Sequence, residues 1–231
     1  MIDVKAAVYD LWRRLAGRYS IDARRPIAEK APYTFFLPSE NELLALQPGD
    51  LAKLIFRSRP PGREWDAERM WVTVTAAERD DLAGTLANAP SDMPQMKFGQ
   101  KIAFNRYDVI DIVWAEERIK TPPPPAKRGE YWQRCMVDAC VVSGRSPVDY
   151  LYREEPDLHA RDDDYPDSGW RIRGTDEGIA EDEKAGLDPE YVAVGAVLNK
   201  DDSWLTLIDA PVGSHFFRDP DTGEFAPCSD R

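Results

Sequence analysis

Apolar side chains at Val4, Ala7, Val8, Leu11, Trp12 and Leu15 recur at helical spacing, while Arg13, Arg14 and Arg18 lie largely on other faces. This spacing predicts an amphipathic helix over Val4–Arg18, packed on its own domain with a solvated basic face. Ser39-Glu40-Asn41-Glu42 has the form of a capping box, so a short helix is expected through Leu46 and a stop at Pro48-Gly49. Beyond it the period falls to two. Asp50–Arg57, Glu68–Ala76, Leu82–Asn88, Lys101–Asn105 and Val109–Trp114 are short, rich in Val, Ile, Phe and Trp, and separated by turn residues. In the second of these, Met70, Val72, Val74 and Ala76 alternate with Trp71, Thr73 and Thr75. The first half therefore reads as a helix plus a small antiparallel sheet or barrel.

Four consecutive prolines, Pro122–Pro125, cannot lie inside a helix or a central strand. They mark a linker over 121–130 between a domain at 1–120 and a second at 131–231. In the second domain Cys135–Val142, Val148–Tyr152 and Gly169–Arg173 read as strands, and Leu158–Ser168 as an acidic loop. Thr175–Ala185 is either loop or exposed helix, and Tyr191–Leu198 is ambiguous between helix and strand. Asp202-Ser203 opens a short helix that ends by Pro211, and the turn at Asp219–Gly223 places Phe216 and Phe225 on adjacent strands. The expected fold class is α+β in both domains.

Composition adds little until charge is located. Of the 231 residues, 42% are hydrophobic, enough for an ordinary core, and no apolar run approaches a membrane span. The first residues lack the apolar stretch of a secretory signal, and three cysteines make no disulfide framework. The expectation is a soluble cytoplasmic protein. Residues 1–120 hold 18 basic and 18 acidic side chains, whereas 121–231 hold 12 and 24, which accounts for the whole net charge of −12. The stretch Asp149–Glu190 alone has 15 acids and 5 bases. Such a field repels phosphate backbones and attracts a basic protein.

The search for chemistry is mostly negative. Cys135, Cys140, Cys228, His159 and His215 have no zinc-ligand spacing, and the two nearer cysteines read as buried thiols. Asp162-Asp163-Asp164 with Asp167 lacks the spacing of a calcium loop. No nucleophile elbow, phosphate-binding loop or dinucleotide fingerprint occurs. No catalytic residue, metal ligand or cofactor is assigned. Most aromatic residues read as core; Trp170 is singled out because it directly follows the acidic loop.

Two stretches do resemble known families. Tyr152-Arg153-Glu154-Glu155-Pro156, Asp167-Ser168-Gly169-Trp170-Arg171, Gly174-Thr175-Asp176-Glu177 and the tail from Asn199 through Phe216 are similar to a bacterial immunity-protein-like domain, over about residues 132–226. Gly49–Phe56, Glu68–Val72 and Gly84–Asn88 resemble the YegJ-type family of unknown function, over about 33–115. The first resemblance implies protection from a polymorphic toxin and carries no active site with it. The expectation is a non-catalytic protein that binds a basic toxin through Glu154, Glu155, Asp163, Asp164, Asp167, Trp170, Asp176 and Glu177, with no nucleic-acid or membrane partner. A small-molecule or peptide sensor, and an enzyme of unrecognised type, are the alternatives.

Overall fold

A computed structural model describes residues 4–116, 121–125, 128–157 and 164–228. The chain divides into two units, one of Met1–Glu29 with Phe36–Lys127 and one of Lys30–Phe35 with Arg128–Arg231. Six residues of the stretch assigned to the first domain, 30–35, thus cluster with the second. Each unit is α+β and carries a six-stranded sheet. Among the described residues no helix is long and apolar enough to cross a membrane.

The first unit starts with α1 (Val4–Ala16), β1 (Arg18–Ile21) and α2 (Arg25–Lys30). α3 (Glu40–Leu44) follows with the expected capping box: Ser39 Oγ accepts from the Glu42 N–H, and the Glu42 carboxylate accepts from the Ser39 N–H. The sheet is built from β2 (Leu51–Arg59), β3 (Ala67–Glu78), β4 (Asp81–Leu86), β5 (Lys101–Asn105) and β6 (Asp111–Val113), together with β1. Its order is β1-β2-β3-β4-β5, every pair antiparallel, and β6 joins the other half of the β2 edge that β1 uses. Leu54, Phe56, Met70, Val72, Leu86 and Ile102 point into a core closed by Leu43, Leu46, Met93 and Met96. A bulge between Val74 and Ala76 shifts the alternation, so Ala77 packs on the core and Ala76 is exposed.

Helix α1 departs from expectation. Its apolar residues Val8, Leu11, Trp12 and Leu15 are exposed, and the side chain packed inward is Arg13. Arg13 donates to Asp92 Oδ1 at 2.7 Å and Asp10 Oδ1 at 3.2 Å, and also to the Asp92 carbonyl. Burial alone would raise the Asp92 pKa, but N–H groups of Glu64 and Trp65 and the Arg13 guanidinium hold it down at about 2.

The second unit is formed by β7 (Arg134–Val137), α4 (Ala139–Val142), β8 (Tyr150–Arg153), β9 (Asp167–Arg173), α5 (Asp176–Ala185), β10 (Glu190–Ala193), α6 (Val194–Leu198), β11 (His215–Arg218) and β12 (Phe225–Pro227). The run Cys135–Val142, expected as one strand, breaks at Asp138 into β7 and the single turn of α4. The ambiguous run at 191–198 likewise divides into β10 and α6. The helix expected after Ser203 is only a 3₁₀ turn over Leu205–Leu207. Sheet order is β10-β7-β9-β8-β11-β12, with β7 and β9 parallel and the other pairs antiparallel. Cys135, Val137, Leu151, Trp170 and Ile172 share one core with Cys140, Val141, Val194, Val197, Leu198 and Trp204. Cys140 therefore lies on a helix, and both thiols enter the same core. Gly169 has φ +80°, and a Cβ there would meet the Glu154 carbonyl oxygen at 2.1 Å, so the tight β8–β9 approach requires glycine.

Candidate partner-binding face

Strand geometry fixes what the second sheet shows on the side away from its core. Leu151 and Phe216 point inward, so their neighbours Tyr150, Tyr152, His215 and Phe217 point outward. The register sets Tyr152 opposite His215 and Tyr150 opposite Phe217 across β8 and β11. It sets the same two tyrosines opposite Arg171 and Arg173 across β9. Met136 of β7, opposite Arg171, and Tyr191 of β10, opposite Met136, continue the row.

These rings touch. Tyr150 and Phe217 stack at 4.4 Å between centroids, and Tyr152 and His215 stack at 5.6 Å with planes 8° apart. Tyr150 Oη lies 2.7 Å from His215 Nδ1. Burial pushes the Tyr150 hydroxyl pKa up, so it stays protonated and can donate to that nitrogen. Phe217 is 48% exposed, a large ring left in solvent at one end of the row. Beside Tyr152 a depression of about 210 Å³ is lined by Met136, Asp138, Arg171, Arg173 and Pro189.

Both arginines are held from behind. Arg171 donates to Asp167 at 2.8 and 3.0 Å and to Glu154 Oε1 at 2.5 Å, and its pKa is raised chiefly by the Asp167 bond. Arg173 donates to Asp138 Oδ2 at 2.8 Å, and its pKa is raised for the same reason. Asp167 is buried, which on its own raises its pKa. Arg171 and the N–H groups of Asp157 and Gly169 outweigh that and lower it. The guanidinium groups are thereby fixed on the face, and part of their charge is already answered.

The residues expected at the contact are distributed differently. Trp170 is 1% exposed, edge-on to Trp204 at 5.7 Å, with Nε1 donating to the Ile208 carbonyl. Its ring belongs to the core and offers no contact surface, because β9 turns Trp170 and Ile172 inward and Arg171 and Arg173 outward. Asp167 is an internal partner of Arg171, and Glu154 sits at the margin on the same arginine. Asp163 lies outside the described residues. Glu155, Asp164, Asp176 and Glu177 are exposed. Asp176 and Glu177 form the first turn of α5, where Thr175 is the N-cap. Burial raises the pKa of Asp149, the residue before Tyr150; Arg218 opposes that shift, and the charges of Asp176 and Glu177 add to it.

Sequence reasoning missed the row itself. Its signal was the alternation of Tyr150 with Tyr152 and of His215 with Phe217, two period-2 aromatic pairs in separate segments. Among the described residues no group of three or more His, Cys, Asp or Glu is placed to hold a metal ion. Burial pushes the Cys135 thiol up to about 12 and raises that of Cys140, so neither is an activated nucleophile.

No curated protein and no solved structure matches the chain. Residues 38–139 match the family model of an uncharacterised protein conserved in bacteria (DUF2314), in keeping with the first-half resemblance. Residues 135–229, which include every residue of the aromatic row, match the model of the immunity protein Imm33 domain.

Proposed function

We propose that the protein neutralises a protein toxin in the cytoplasm by binding it, without catalysis, through the outer face of the second sheet. The observation that carries this reading is the coincidence of the Imm33 match with an outward row of Tyr150, Tyr152, His215 and Phe217 beside Arg171 and Arg173. Aromatic residues and arginine supply most binding energy at protein interfaces. Rigid rings lose little conformational entropy on contact. The exposed carboxylates Glu155, Asp164, Asp176 and Glu177 of the same unit would steer a basic partner toward it.

The test is to search the adjacent genes for a toxin and co-express any found with this chain. The intact chain restores growth and co-purifies with the toxin. Reversing Asp176 and Glu177 to Lys slows association several-fold and flattens its dependence on salt. A neighbouring toxin that neither binds nor is neutralised overturns the proposal. Unchanged association rates in the reversed variant remove the electrostatic steering and leave the aromatic face.

A further inference from the structure

Helix α1 is docked by its polar side. At 100° per residue Arg13 lies nearly opposite the centre of the stripe formed by Val8, Leu11, Trp12 and Leu15. The Arg13 side chain is wholly buried, whereas those four residues are 62%, 56%, 51% and 79% exposed. A helix of a soluble domain normally buries its apolar stripe and solvates its charges. Here the anchors on the inner side are specific: Arg13 with Asp92, and Tyr9 Oη donating to the Pro61 carbonyl at 3.0 Å. The apolar stripe is thereby held outward.

We propose that this stripe binds an anionic lipid surface, with α1 lying in the plane of the interface. Charge complementarity selects the occupant. Lys5 and Arg14 are exposed on opposite flanks of the stripe, and Arg18, exposed too, follows the helix as the first residue of β1. The one carboxylate on the described helix, Asp10, is engaged by Arg13 and by Arg63, each at 3.2 Å. Arg14 also lines a depression of about 410 Å³ with Lys97, Phe98 and the two carboxylates that Arg13 engages, Asp10 and Asp92, and Phe98 is 68% exposed. A second copy would bring the same cations against the stripe with no carboxylate on the helix to receive them. At 13 residues the helix is about 20 Å long, too short to span a bilayer but suited to lie along one. The surplus acid of the chain belongs to residues 121–231, whereas residues 1–120 hold 18 basic and 18 acidic side chains. The inference replaces the sequence expectation of no membrane partner and is independent of toxin binding.

Flotation of the full chain with vesicles tests it. The protein rises with equimolar phosphatidylcholine and phosphatidylglycerol, and much less with phosphatidylcholine alone. Because Leu11 and Leu15 are exposed, Leu11→Glu with Leu15→Glu leaves the far-ultraviolet circular dichroism unchanged and weakens partitioning at least about tenfold. Arg14→Gln weakens it about fivefold. Equal flotation of the double Glu variant and the parent overturns the proposal. So does failure of the parent to float with either vesicle. A concentration-dependent dimer in sedimentation equilibrium that the double Glu variant abolishes overturns it in favour of a second copy.

Discussion

Replacing Trp170 by Ala separates a core role from a contact role. The ring is 1% exposed, meets Trp204 edge-on at 5.7 Å, and donates Nε1–H to the Ile208 carbonyl at 3.3 Å. Removing a buried Trp side chain costs about 3–5 kcal/mol in lost transfer energy and cavity. The lost aromatic pair adds about 1 kcal/mol. The Ile208 carbonyl loses a donor, which places the total near the upper end of that range, at about 4–5 kcal/mol. Arg153, whose guanidinium lies 5.6 Å from the ring, remains tied to the Ser168 and Ala210 carbonyls at 3.1 and 2.7 Å, so collapse into the space is limited. Urea unfolding of the purified chain, followed by far-ultraviolet circular dichroism, reads the change as a lower midpoint for the transition of the second unit. Trp170→Phe keeps most of the apolar contact and lowers the midpoint by less than half as much. A loss below about 1 kcal/mol for Trp170→Ala refutes the packing argument. A loss of toxin affinity at unchanged midpoint would restore Trp170 to the interface.

On the outer face the pattern reverses. Phe217→Ala and Tyr150→Ala each weaken toxin binding by about 2 kcal/mol, near thirtyfold by calorimetry, and lower the unfolding midpoint by much less than Trp170→Ala does. The Asp92 carboxyl, held at about 2 against 3.8 in the unfolded chain, stabilises the first unit by about 1–2 kcal/mol after solvent screening. That contribution is complete above pH 4 and lost as the pH falls through 2, and Asp92→Asn flattens the dependence of the midpoint on pH over this window. In thiol titration the exposed Cys228 of the native protein reacts, whereas the buried Cys135 and Cys140 react only after denaturation.

Period and turn chemistry made much of the first unit legible. The strands expected at 50–57, 68–76, 82–88, 101–105 and 109–114 each overlap an observed strand, and Ser39 with Glu42 announced its helix. The short edge strand β1 and the helix α2 carried too few residues to show a period. Amphipathicity showed that α1 is a helix but not which side faces the domain, because that depends on Asp92, a residue 79 positions away from Arg13. In the second unit, Val137 and Ala139 are both buried on either side of Asp138, and a fully buried run has no period to distinguish strand from a helical turn. The aromatic row needed the β8–β11 pairing, which joins residues more than 60 apart.

Counting charge along the chain located the acidic stretch but not which of its carboxylates are paired. Folding pairs Asp138 with Arg173, Asp167 with Arg171, Asp182 with Arg145 and Asp201 with Arg218. Each pair removes one charge of either sign from the surface, so the net value is unchanged while the surplus moves to carboxylates outside these pairs. Those include Glu155, Asp164, Asp176, Glu177, Glu183, Asp188 and Glu190, all exposed. Asp138 and Asp167 then have a positioning role: they hold Arg173 and Arg171 on the outer face beside the tyrosines. Asp167→Asn leaves a half-buried guanidinium short of a counter-charge and lets it move, so toxin dissociation quickens while the salt dependence of association stays as it was. Reversal of Asp176 and Glu177 has the opposite signature. Measuring both rate constants therefore distinguishes the carboxylates that build the face from those that attract a partner to it.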